Sequence, residues 1–156
     1  MGKIYNALGK GEVYLAALCF AASTIIIFLA AIFRTAGRPI NWSIDMSLFL
    51  FAWSVFLSAD AALRAGKLVR VEVLFNSMNP TLRKWVTIGN YLIILAFLIA
   101  LIYFGIKLSF ITRARSFQGI PGFSYTWVTL SIPVGATLQI ATVVIKLREL
   151  LTSKPS

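Results

Sequence analysis

Histidine is absent from this 156-residue chain and cysteine occurs once, at Cys19. The first absence removes the usual axial ligand of a membrane haem and the commonest general base. The second excludes an intrachain dithiol redox centre and any disulfide within one copy. Acids are nearly as scarce. Glu12, Asp45, Asp60, Glu72 and Glu149 are the whole set, too scattered to form a recognisable metal or acid/base constellation. No Gly-rich phosphate loop occurs. The sequence therefore predicts a protein that is not an enzyme and carries no cofactor. Charge of either sign makes up only 13% of the residues while 59% are hydrophobic, more apolar surface than a soluble domain of this length can hide.

What the chain has in abundance is long uncharged runs. Val13 to Phe33 and Trp85 to Ile106 contain no Asp, Glu, Lys or Arg. As helices, each covers roughly 30 Å, the hydrocarbon thickness of a bilayer. Ser116 to Ile145 is uncharged for its whole length, and a span of about 123–145 fits behind the Pro121-Gly122 turn. Ile44 to Leu63 completes the set, with one acid near each end. The expected fold is an all-α membrane protein: one compact domain, 1–156, with four spans at about 13–33, 44–63, 85–106 and 123–145. The first run is too long for a signal-peptide core and three more follow it, so it reads as a true span.

A net charge of +10 would suggest nucleic acid in a soluble chain, but its distribution points to a membrane instead. Ten basic residues flank the terminal side: Lys3 and Lys10, then Arg64, Lys67, Arg70, Arg83 and Lys84, then Lys146, Arg148 and Lys154. Five lie on the opposite side: Arg34, Arg38, Lys107, Arg113 and Arg115. The positive-inside rule puts both termini in the cytoplasm, where the basic residues meet phospholipid headgroups. Trp42, Trp85, Tyr125 and Trp127 fall at span ends, as interfacial aromatics do. Trp53, in mid-span, reads as a packing residue.

Between spans two and three, Val71, Leu74, Phe75 and Met78 recur at i, i+3, i+4 and i+7 while Arg70, Glu72, Asn76 and Asn79 face elsewhere. This predicts a short amphipathic helix in the interface, stopped by Pro80. It is either an anchor for the flanking spans or a docking arm for another subunit. Between spans three and four, Arg113, Arg115 and Gln118 precede Gly119-Ile120-Pro121-Gly122, a turn back into the membrane. Those arginines are suited to lipid phosphates or to an acidic patch on a soluble partner.

Ionisable residues inside spans are functional candidates by default, and two occur. Asp45 follows Ser43, a plausible N-cap, and sits in a helical first turn where the dipole favours a carboxylate; pairing with Arg34 or Arg38 is the alternative. Asp60 precedes Arg64 by four residues, the spacing of an intrahelical ion pair. The remaining polar groups, among them Ser23, Thr24, Asn90, Thr129, Ser131, Thr137, Gln139 and Thr142, carry no charge and suit helix packing better than a transport pathway. Pro133 removes a backbone donor and predicts a kink in span four. Ala17/Ala21, Ser54/Ser58 and Ser131/Gly135 are small-xxx-small pairs that allow close helix approach.

The segment Trp42-Ser-Ile-Asp-Met-Ser-Leu-Phe-Leu-Phe-Ala-Trp53, followed by Phe56-Leu-Ser-Ala-Asp60 and Ala65-Gly-Lys-Leu-Val-Arg-Val-Glu-Val-Leu74, resembles the small membrane subunit of TRAP (tripartite ATP-independent periplasmic) transporters, the DctQ-like family. Asp45, Gly66, Arg70, Val71, Glu72 and Asn79-Pro80 match its pattern, and Pro121-Gly122 with the Pro133-bearing span resembles its last helix. Met46, Ser58 and Leu68 depart from it, where a second acid, a glycine and a histidine are common.

The resemblance implies a bacterial inner-membrane location and two partners: a large membrane subunit that carries substrate and sodium, and a periplasmic binding protein that delivers an organic acid, with sialic acid the suggested substrate. It further implies a scaffold role for this chain. Arg34, Arg38, Arg113, Arg115 and Gln118 then become candidate contacts for the binding protein. Val71, Leu74, Phe75 and Met78 become candidate subunit or lipid contacts, and Asp45, Asp60 and Arg64 structural caps or ion pairs. The rival reading, a self-sufficient four-span exporter of the small multidrug type, needs a membrane-embedded carboxylate in span one, and Val13 to Phe33 has none.

Overall fold

The computed structural model of the chain describes residues 2–65 and 79–152. The elements are α1 (Gly2–Thr35), α2 (Ser43–Arg64), α3 (Pro80–Ile111), a single 3-10 turn (Thr112–Ala114), β1 (Ser116–Phe117), β2 (Ile120–Ser124), α4 (Thr126–Thr129) and α5 (Ser131–Thr152). Among the described residues, four helical stretches are long and apolar enough to cross a membrane: Gly9–Thr35, Ser43–Arg64, Leu82–Ala114 and Thr126–Thr152. The protein is an all-α multi-pass membrane protein, with one small antiparallel ribbon, β1–β2, at the end opposite the termini. The amphipathic segment of Val71, Leu74, Phe75 and Met78 lies outside the described residues.

Helices run past the expected limits because a helix does not stop at the hydrocarbon boundary. Lys10, Lys146 and Arg148 continue their helices beyond the uncharged runs, and Pro80 opens α3 in its first turn, where a missing N–H costs nothing. The fourth span starts later than 123, a correction to the sequence reading. Phe123 and Ser124 belong to β2, and the Ser124 hydroxyl bonds both the Arg113 carbonyl (3.1 Å) and the Thr126 amide (3.3 Å), which keeps the chain extended until Thr126. The helix is interrupted at Leu130, between α4 and α5, three residues before Pro133. The Ser131 and Thr129 hydroxyls turn to the Val128 and Thr126 carbonyls at 2.6 and 3.0 Å.

The principal contacts run from α1 to α2, from α2 to α5 and from α5 to α3, a row rather than a closed ring. Lipid tails are as apolar as leucine, so no hydrophobic force closes the ring in a bilayer. The stretch containing α5 is the most enclosed, while α1 and α3 turn most of their large side chains outward. The small core lies where α2 and α3 meet α5: Leu63, Leu98, Ala136 and Val143 are buried, flanked by Tyr91, Ile94 and Ile140.

Close approach of α2 to α5 depends on Gly135, where an added Cβ would collide with Cβ of Phe56 and stand 2.9 Å from its Cγ. Gly135→Ala is expected to cost about 1–3 kcal/mol through overpacking, read as a lower thermal midpoint in detergent. Gly89→Ala, where nothing lies within 4 Å, is expected to leave that midpoint level or slightly higher.

Candidate functional site

At the end carrying the termini, three helices meet on one buried cluster. Asp60, in the last turns of α2, is fully enclosed. Its Oδ2 accepts from Nε of Arg64 at 2.6 Å and its Oδ1 from the Thr142 hydroxyl of α5 at 2.8 Å. Nη2 of the same arginine reaches Oε1 of Glu12 on α1 at 3.1 Å. A carboxylate inside a membrane protein is stable only when donors surround it, and here two helices supply them. The Asp60–Arg64 spacing was visible in the sequence. Glu12 and Thr142 were not, because they stand 52 and 82 residues from their partners and no local pattern signals such pairs. Beside the cluster, Lys10, Tyr14 and Ala61 line part of an open groove of about 590 Å³ between α1 and α2.

The opposite end is built around the ribbon. Ser116 pairs with Ser124 and Phe117 with Ile120, leaving Gln118-Gly119 as the tight turn. Gly119 has φ +81°, a conformation that favours glycine at the second central position of such a turn; Pro121-Gly122, read from sequence as the turn, lies within β2. Oδ2 of Asp45 accepts the Gln118 backbone N–H at 2.7 Å, so the first turn of α2 holds the ribbon tip.

Two sequence readings are corrected at this point. Trp42 occupies the cap position, and the Ser43 hydroxyl turns back to the Ile40 carbonyl at 2.6 Å because Ser43 is already helical. Among the described residues neither Arg34 nor Arg38 pairs with Asp45, whose carboxylate is taken by the ribbon.

Aromatic rings lock the ribbon from beneath. Phe117 is buried against Phe123 and Tyr125, with ring centroids 4.8 and 5.6 Å apart. Phe123 meets Phe49 of α2 edge-on at 6.0 Å, and Nε1 of Trp53 donates to the Trp127 carbonyl at 3.3 Å. The Arg115 guanidinium lies 4.7 Å from the centre of the Tyr125 ring, a cation–π placement that restricts its motion. Arg34, Arg38, Arg113, Arg115 and Gln118 are all exposed at this end. The result is a rigid, basic platform whose one nearby acid, Asp45, is already engaged. Asp45→Ala is expected to raise the rate of trypsin cleavage at Arg113 and Arg115 roughly tenfold, matching the loss of a charge-assisted hydrogen bond of about 1.5 kcal/mol.

Four helices long and apolar enough to cross a membrane, an anchoring charge cluster, a basic surface platform and shallow open grooves define a membrane component that works through its surfaces. Over residues 23–153 the chain matches the family described as tripartite ATP-independent periplasmic transporters, DctQ component, and it belongs to that family. It is therefore a small permease subunit of a TRAP transporter in the inner membrane, and not an enzyme. It is also 26% identical over 133 residues to the sialic acid TRAP transporter permease protein SiaT of Haemophilus influenzae (strain 86-028NP). That alignment covers 85% of this chain and 21% of the relative, so the chain spans about a fifth of the relative's length.

Proposed function

We propose that this chain is the static scaffold of a sodium-coupled TRAP importer for an organic acid, with sialic acid as the substrate class. It braces the large membrane subunit and forms part of the platform on which a periplasmic binding protein docks. The single observation that carries this reading is the pairing of a braced basic platform with membrane spans in which, among the described residues, the fully buried carboxylate, Asp60, is tied into an anchoring cluster with Arg64 and Glu12. The similarity to the Haemophilus sialic acid TRAP transporter permease supports the substrate class, and the excess of basic residues on the terminal side supports cytoplasmic termini. The platform then faces the periplasm. Arg34, Arg38, Arg113 and Arg115 offer an acidic protein surface long-range attraction and orientation. In the same reading Lys10 and the groove beside it receive a phospholipid headgroup.

Uptake of radiolabelled sialic acid into proteoliposomes tests the reading. Sodium-dependent uptake is expected only when this chain, the large subunit and the binding protein are all supplied. Uptake by this chain alone would show a self-sufficient transporter, and unchanged uptake without it would remove the scaffold role.

A further inference from the structure

One carboxamide side chain faces outward from a helix where the surroundings are hydrocarbon. Trp85 and Lys107 bracket the uncharged part of α3, and Asn90 lies five residues inside Trp85, roughly 7 Å deeper along the helix. Its side chain is exposed, and among the described residues its amide has no hydrogen-bond partner. A carboxamide has two donor hydrogens and an acceptor oxygen, and leaving them unmet in lipid is unfavourable. Helix association in membranes is where such groups find partners.

Asn90 is also placed in a pattern. Val86, Asn90, Ile93, Phe97, Ala100 and Phe104 alternate in steps of four and three, and all are exposed. That spacing averages 3.5 residues, the period of a seam that receives a second helix at a shallow crossing angle. A single asparagine within such a seam fixes register and partner. The seam lies on one flank of α3. Leu98 on the inner side packs in the core toward α5, and the second outward flank, with Leu92, Ile99 and Phe110, is apolar around Tyr103, whose ring suits the acyl region.

We propose that the Asn90 seam of α3 receives a transmembrane helix of the large membrane subunit, and that this helix presents a hydrogen-bonding side chain to the Asn90 amide. The Leu92–Ile99–Phe110 flank then faces lipid. This rests on the reading of the chain as a scaffold for that subunit. The occupant follows from the relative: the region matching this chain is about a fifth of a single permease polypeptide, so in that protein its counterpart is tethered to further permease sequence, not supplied as a second free copy.

Site-specific photo-crosslinking tests it. With the large subunit co-expressed, benzoylphenylalanine is incorporated at Phe97 or Phe104 on the seam, or at Leu92 or Ile99 on the other flank. Seam positions are expected to give the crosslinked heterodimer at least about fivefold more strongly. Asn90→Leu is expected to lower recovery of the large subunit with this chain about three- to tenfold, with Asn90→Gln retaining part of it. Stronger crosslinks from Leu92 or Ile99, seam crosslinks between two copies of this chain, or full recovery with Asn90→Leu would each overturn the seam assignment. If instead the unsubstituted chain fails to recover the large subunit, the scaffold reading itself fails.

Discussion

Asp60→Ala is expected to lower the amount of folded protein recovered from membranes by about tenfold or more and to reduce stability in detergent by about 3–5 kcal/mol. Removing the carboxylate takes one acceptor from Arg64, whose side chain is only 12% exposed, and leaves the enclosed Thr142 hydroxyl without its partner. The cost of breaking a buried ion pair lies in the group left behind. Thr142→Val removes one neutral donor to Asp60 and is expected to cost about 1–2 kcal/mol. The two effects are expected not to add in the double variant, because both act through one carboxylate. Thermal unfolding monitored by helical circular dichroism in detergent reads all three. A stable, well-expressed Asp60→Ala protein would show that the cluster does not join α1, α2 and α5.

The second large effect belongs to the opposite end. Under the proposed function, reversing charge at Arg113 and Arg115 together is expected to reduce sialic acid uptake about thirtyfold when the binding protein is limiting, and far less when it saturates. Surface charges govern encounter more than the chemistry that follows. At physiological salt their reach is about 8 Å, so the loss is expected to shrink as ionic strength rises. Assembly with the large subunit is expected to be unaffected, since both side chains are exposed. Equal uptake by the variant at every binding-protein concentration would leave the arginines as lipid contacts only.

The membrane fold was legible because uncharged length is a strong signal: Val13 to Phe33 and Trp85 to Ile106 required no structural information to be recognised as spans. The ribbon was not, because its defining feature is backbone geometry. Both Gly119 and Gly122 adopt positive φ, and only the pairing of Phe117 with Ile120 shows that Gln118-Gly119 makes the turn. Asp45 illustrates a similar limit. Its position in a first helical turn was readable, but its partner is a main-chain amide 73 residues away, and a main-chain amide leaves no mark on residue type. The row arrangement of the helices was equally hidden. Small-xxx-small pairs occur on several helices, yet Gly135 lies buried against Phe56 whereas Ala17 and Ala21 are exposed.

An open row of helices also bears on how such a chain can change over time. Leu, Ile, Val and Phe on the outer surfaces of α1 and α3, such as Leu18, Ile25, Phe28 and Ile99, are interchangeable to a first approximation wherever fluid acyl chains are their neighbours. Strict selection then falls on a few enclosed positions, among them Ser131, Ala136, Thr142 and Val143. A lineage of such chains is free to drift far apart in letters while keeping its shape.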